Sequence, residues 1–207
     1  MLLAPLLPLI NTSIPPTVFG VSGYSGAGTK AGAKEESGSG ASGKASRPVT
    51  LPKVSAESLA GGIRPYSLTD HVHEREAGVH LSELLAQDAG AESKLKVAFI
   101  PTVAPWFQGI ISTASVSLKR KTTAKEIKSL FEEFYAGEPL VELRPSVPEI
   151  KDIALKNGVK IGGFQVHSEG DRVVLVGVLD NLLKGAATQC LQVSVDGSKI
   201  CSSGSVY

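Results

Sequence analysis

Three clusters in this sequence combine residue types and spacing suited to chemistry. The stretch 17–30 reads TVFGVSGYSGAGTK, a Gly/Ser loop directly after a short apolar run. Ser22, Gly23, Ser25, Gly26 and Gly28 can close a nest of backbone N–H groups on an anionic or dinucleotide ligand; the same letters also serve an ordinary turn, where glycine supplies positive φ without steric cost. The stretch 66–76 reads YSLTDHVHERE and sets His71 and His73 two residues apart. On an extended segment the two imidazoles point the same way, and each can exchange a proton near pH 7. Glu76 would orient or balance the ring and Arg75 would contact an anion, while a solvated loop with a surface ion pair has the same composition. The stretch 180–189, DNLLKGAATQ, can be a helix capped by Asp180, with Asn181 offering an amide and the small pair Ala186 and Ala187 allowing close packing. His80, in an amphipathic helix starting nearby, and His167, at a strand end, read as incidental.

The elements that must position these clusters are legible from periodicity. Residues 96–100 and 109–118 read as strands, the second interleaving Ser112, Thr113, Ser115 and Ser117 with apolar residues as a half-exposed sheet requires. A helix follows, with Thr123 and Glu126 as a capping box, Ile127, Leu130, Phe131 and Phe134 at helical spacing, and Gly137 at a left-handed C-cap. Residues 160–166 and 172–179 are further strands about a turn at Ser168–Gly170, and VVLVGVL reads as buried on both faces. The expected class is α+β, a mixed or largely antiparallel sheet packed by helices. One domain spans 1–207, with a flexible Gly/Ser-rich insertion at 32–62 and a divergent tail at 193–207.

With 207 residues and 42% hydrophobic content the chain can bury a core, and a net charge of +1 gives no electrostatic footprint for nucleic acid or an anionic membrane. Cys190 and Cys201 are too few for a disulfide framework and lack metal-site spacing, which fits a reducing compartment; no metal is expected. The apolar opening MLLAPLLPLI lacks a basic lead, is broken by Pro5 and Pro8, and is far shorter than the roughly 20 residues of a membrane span.

Taken together, the Ser-Gly-x-Ser-Gly-Ala-Gly loop, the His-x-His-x-x-Glu cluster and Asp-Asn-Leu-x-Lys-Gly-Ala-Ala-x-Gln, in that order, resemble the C-terminal half of fungal N-acetyl-gamma-glutamyl-phosphate reductase. FIPTVAPWFQG at 99–109 is similar to the family's Phe-x-Pro-His-x-x-Pro stretch but carries Thr102 where histidine is usual. The resemblance implies the C-terminal fold of glyceraldehyde-3-phosphate-dehydrogenase-like reductases, with residues 2–10 continuing a core helix. It implies NADP as cofactor, N-acetyl-glutamyl phosphate as substrate, a homo-oligomer when complete, and a mitochondrial location, with the cytoplasm as the alternative. His73 is the first choice for acid/base and His71 the second, with Glu76 beside them and Arg75 on the phosphate. Ser22, Gly23, Ser25, Gly26, Gly28, Asn181, Lys184 and Gly185 fall on the cofactor side.

Reduction of an acyl phosphate to an aldehyde needs a thiolate to displace phosphate, a hydride donor and a proton-exchanging group. The family's cysteine segment should fall just before Leu2, and neither Cys190 nor Cys201 transfers into that role. No strand, G-x-G-x-x-G turn and helix precedes the glycine loop either. The expectation is therefore a partial enzyme, inactive alone. An aspartate-semialdehyde dehydrogenase-like reductase and a non-catalytic oligomerisation module are the rivals.

Overall fold

The computed structural model describes residues 1–27, 55–89, 94–192 and 194. Gly28, Cys201, most of the Gly/Ser-rich stretch and nearly all of the tail lie outside these residues. Residues 55–62, the end of the expected insertion, contain a 3₁₀ turn at Glu57–Leu59 with Leu59 buried, and the Arg64 guanidinium donates to the Ser58 carbonyl at 3.0 Å.

Seven strands form one mixed sheet: β1 (Thr17–Gly23), β2 (Arg64–Pro65), β3 (Ala98–Ala104), β4 (Ile110–Ser117), β5 (Val141–Arg144), β6 (Val159–Val166) and β7 (Arg172–Leu179), in the order β2-β3-β1-β4-β7-β6-β5. β1–β3 and β5–β6 pair in parallel and the other neighbours antiparallel, so the expected α+β class with a mixed sheet holds. The strand expected to stop at Ile100 runs on through Pro101. The Pro101 carbonyl still accepts from Tyr66 N at 3.1 Å, but proline has no N–H to return, and the β2 ladder is confined to two pairs.

Strand alternation divides the sheet into two different faces. Phe99, Val18, Ala114 and Leu175 align across β3, β1, β4 and β7 on the inner face. There Val18, Ala114 and Leu175 join the core built by Leu6, Ile10, Ile127 and Phe131, with Leu81 and Leu85 of α1 (Val72–Ala89). The opening segment is buried as expected, but as a 3₁₀ turn at Ala4–Leu6 with Pro5 inside it rather than as a continuous helix. On the outer face Ile100, Phe19, Thr113, Val176, Gly162 and Arg144 align across six strands. The segment after β5 crosses this face closely enough that a Cβ on Gly162 would lie 2.3 Å from the Ser146 carbonyl oxygen. Val176 and Val178 are buried accordingly, while Phe19 remains 48% exposed.

α2 (Ala124–Phe134) starts where Thr123 accepts from Glu126 N, and Gly137 is left-handed at φ +81. The reciprocal half of the expected capping box is not made: the Glu126 carboxylate is drawn to the Arg120 guanidinium instead. Phe131 is fully buried edge-on against Phe164 at 5.1 Å, while Phe134, expected on the same stripe, is half exposed against Tyr135.

The end of β7 is tied down by Asp180, which is fully buried. One carboxylate oxygen accepts from Leu182 N at 2.9 Å and Leu183 N at 3.1 Å; the other accepts from Gln108 Nε2 at 2.7 Å and Leu155 N at 2.8 Å. Removing the acceptor leaves four part-buried donors without it, and a donor left unmet costs about 1–3 kcal/mol. Asp180→Ala should therefore lower the unfolding free energy in a urea titration by roughly 3 kcal/mol or more, and a loss below about 1 kcal/mol would show that water replaces the carboxylate. Gly23 meets a second constraint, since a Cβ there would lie 2.6 Å from the Phe107 carbonyl oxygen. Gly23→Ala should lower the melting temperature and abolish the hydrogen-exchange protection of the Tyr24 and Ser25 amides, which bond to that neighbouring loop.

Candidate active site

α1 begins at Val72, so His71 immediately precedes it and His73 lies in its first turn. The extended geometry expected for the pair is replaced by a helix start, which brings the rings together in another way. His71 Nδ1 accepts from the His73 backbone N–H at 3.2 Å, satisfying one of the amides that a helix start leaves open. The neutral His71 ring therefore carries its proton on Nε2. The two ring centroids are 4.9 Å apart, and His71 also packs on Phe99 at 5.5 Å and Tyr66 at 5.8 Å. Two aromatic walls thus hold His71 while His73 projects outward with its side chain 65% exposed.

His73 Nδ1 donates to Glu76 Oε2 at 2.8 Å. This hydrogen bond holds the Glu76 carboxyl below the usual carboxylate range, outweighing the opposing desolvation, and the neighbouring imidazoles of His73, His80 and His71 lower it further. The carboxylate engages Nδ1 and so orients the ring. Arg75 sits two positions after His73, about 200° around the helix, and so does not share its face. Arg75, expected as a phosphate contact, would therefore reach an anion from a different side of α1 than His73 does.

The Gly/Ser loop and the Asp180–Gln189 stretch do meet. Asn181 Nδ2 donates to Ser25 Oγ at 2.9 Å, and its Oδ1 accepts from Gly109 N at 2.6 Å. Gly23, Tyr24 and Ser25 donate their N–H groups to the carbonyls of Gly109, Trp106 and Phe107 at 2.9–3.1 Å, and Ser22 Oγ donates to the Gly23 carbonyl. These amides are spent within the protein and do not form an open nest. Gly23 and Gly26 have a packing reason instead, since a Cβ on Gly26 would lie 2.6 Å from Ser22 Oγ.

Leu183–Ala187 forms a π-helical turn in which Gly185 N reaches back to the Asp180 carbonyl at 2.9 Å. Lys184 Nζ binds the Gln189 and Gln192 side chains. Ala186 and Ala187 are exposed, so the close packing expected of them is absent. The polar groups assigned to a dinucleotide thus face one another, and the described residues of this set do not present a cradle for one. The two clusters also remain apart: His71 and His73 lie by Phe99, which pairs with Val18, four residues or about 13 Å along β1 before Ser22.

Sequence reasoning missed a cavity of about 410 Å³ between α1, the opening segment and the inner sheet face. His73, Ala77, His80, Leu81 and Leu84 line one side of it, with Ser112, Phe99 and Leu2 among the residues opposite. His80, expected to be incidental, lies on the wall of this cavity. The signal was helical spacing from His73 onward, hidden while that residue was read as extended.

Residues 1–181 match the family model described as semialdehyde dehydrogenase, dimerisation domain. "Protein arg11, mitochondrial" of Schizosaccharomyces pombe is 46% identical over 190 residues, covering 92% of this chain and 18% of that protein. N-acetyl-gamma-glutamyl-phosphate reductase of Stenotrophomonas maltophilia is 42% identical over 188 residues, covering 91% of this chain and 49% of that one. The chain thus spans about half of the bacterial relative and under a fifth of the fungal one. Among solved structures, aspartate semialdehyde dehydrogenase II from Vibrio cholerae superposes with a TM-score of 0.61 at 17% identity, covering 93% of this chain and 57% of that one. A probable aspartate-semialdehyde dehydrogenase from Pseudomonas aeruginosa gives 0.63 at 15%, with 93% and 57% covered. At such identities the likeness carries the fold alone. The family match, over nearly the whole described fold, makes this chain a member of the semialdehyde dehydrogenase family that contains its dimerisation domain.

Proposed function

We propose that the chain is the dimerising, proton-exchanging half of an acyl-phosphate reductase that converts N-acetyl-glutamyl phosphate to its semialdehyde in arginine biosynthesis. The observation that carries this reading is the exposed His73 imidazole, fixed by Glu76 at the first turn of α1, in a chain whose relatives at 42–46% identity include a protein named N-acetyl-gamma-glutamyl-phosphate reductase. The fold likeness to aspartate-semialdehyde dehydrogenases does not shift the substrate, because their identity to this chain is below 20%. In this reading a thiolate and NADP act from the length of the relatives that this chain does not span. Among the described residues Cys190 is an exposed free thiol, and no role follows for it.

The work left to this half is proton transfer. When hydride reaches the thioester carbon, the carbonyl oxygen becomes a hemithioacetal oxygen that takes a proton, and gives it up as the carbon–sulfur bond breaks to release aldehyde. His73 Nε2 can supply and recover that proton while Glu76 fixes the ring. His71, with Nδ1 committed to the His73 backbone, holds the turn and is a positioning residue. The mitochondrial location of the fungal relatives is carried over as part of the proposal. No helix among the described residues is long and apolar enough to cross a membrane.

The outer sheet face supplies the dimer contact in this reading. Phe19 is half exposed there, and Val21, Ile100, Ile111 and Thr113 around it are only partly covered. A second copy laid face to face would cover this patch, as the family description of a dimerisation domain suggests. The chain should therefore sediment as a dimer, and Phe19→Lys should shift it to monomer with unchanged circular dichroism; a monomeric parent chain would remove this part of the proposal.

In a full-length reductase carrying these residues, His73→Ala should lower kcat by roughly 10²–10⁴-fold with little change in NADP affinity, and His71→Ala should cost less. In the isolated chain, the same His73→Ala change should raise the Glu76 carboxyl toward its ordinary value in an NMR titration, since the hydrogen bond that depresses it is gone. Near-normal kcat in His73→Ala would return the His73–Glu76 pair to a surface ion pair.

A further inference from the structure

We infer that His80 is a substrate-specificity residue: it takes the anionic group at the far end of a short aliphatic acyl phosphate whose reacting end lies at His73. The inference rests on the reading of His73 above and deepens it.

His73 and His80 are seven residues apart on α1, so they stand on one face with about 10.5 Å of helix axis between them. Both line the 410 Å³ cavity and both sit at its edge, with side chains 65% and 75% exposed. The arrangement around each ring is repeated. His73 Nδ1 meets Glu76 at 2.8 Å, and His80 Nδ1 meets Glu83 at 3.4 Å, each at i,i+3. In both cases a carboxylate lies at the Nδ1 edge of the ring, as a hydrogen bond at His73 and as a looser ion-pair contact at His80.

Between the two imidazoles the wall is apolar, made by Ala77, Leu81 and Leu84. Ser112 is the one other side chain with a polar group among the lining residues, and it lies on the inner sheet face across from α1. Two imidazoles at the rim, separated by aliphatic surface, suit a ligand with an anion at each end of a methylene chain. A fatty chain would use the apolar wall but not the second imidazole. A phosphate alone would use one imidazole and not the wall. The structure therefore favours an acyl phosphate with an α-carboxylate over one without it.

The test uses this chain with two stable probes. N-acetyl-L-glutamate carries carboxylates at both ends, and N-acetyl-4-aminobutyrate lacks the α-carboxylate. Histidine ring resonances are followed by NMR at pH 6 for the parent chain and for His80→Gln, an exposed substitution that leaves the core untouched. Expected are millimolar binding of N-acetyl-L-glutamate with shifts at both His73 and His80, and affinity roughly tenfold weaker in His80→Gln, the loss of one charge-assisted hydrogen bond. The shorter probe should bind equally to both proteins. Shifts at His73 alone, with His80→Gln indistinguishable from the parent, would overturn the specificity role and leave the proton-exchange role of His73 standing. No response at either ring at tens of millimolar probe would also overturn it, and the role of His73 would then rest on the kcat measurement alone.

Discussion

Four hydrogen bonds converge on the buried Asp180 carboxylate, and the arrangement of the loops at that end of the sheet depends on them. A carboxylate removed from water must be met by donors on both oxygens, and here the donors come from three places: the chain just after β7, the loop before β4 and the segment following β5. Satisfying one acidic group therefore fixes three loops at once. Asn181 extends the same knot to the Gly/Ser loop through Ser25, and Gly23 allows that loop to lie against the 106–109 backbone. The motif is a fastening before it is a ligand site.

The histidine cluster obeys a different constraint. A helix start leaves backbone amides without partners, and His71 fills one of those vacancies with a ring nitrogen. That use of His71 separates the roles of two residues that look equivalent in the sequence: one is built into the turn between Tyr66 and Phe99, and the other is directed outward with a carboxylate on one edge. Exposed pairs such as His73–Glu76 contribute little to stability because solvent screens them, so the value of this one lies in ring orientation.

The sheet separates these functions by face. Helices and the opening segment cover the inner face and leave a cavity against α1, whereas the outer face is crossed only in part by the segment after β5. The polar residues of β4 follow this division. Ser112 points inward to the cavity, while Thr113 and Ser115 lie on the face where Phe19 is exposed. A sheet with one covered face and one half-open apolar face is suited both to hold a ligand and to meet a second copy.

The sequence by itself determined the class, the strands β4, β6 and β7, the N-cap of α2 and the residues of all three clusters, because strand alternation, helix period and capping are local and are written in neighbouring letters. It also carried the family resemblance, which the match over residues 1–181 bears out. Only the tertiary structure decided what the polar groups of those clusters face. The amides of Gly23, Tyr24 and Ser25 look open in a one-dimensional reading, since the carbonyls that absorb them belong to residues more than eighty positions away. His71 and His73 looked parallel until the helix start was placed between them. His80 acquired a place in the cavity only when α1 was laid against β3 and β4, because a cavity is a property of packed elements and not of the period of any one of them.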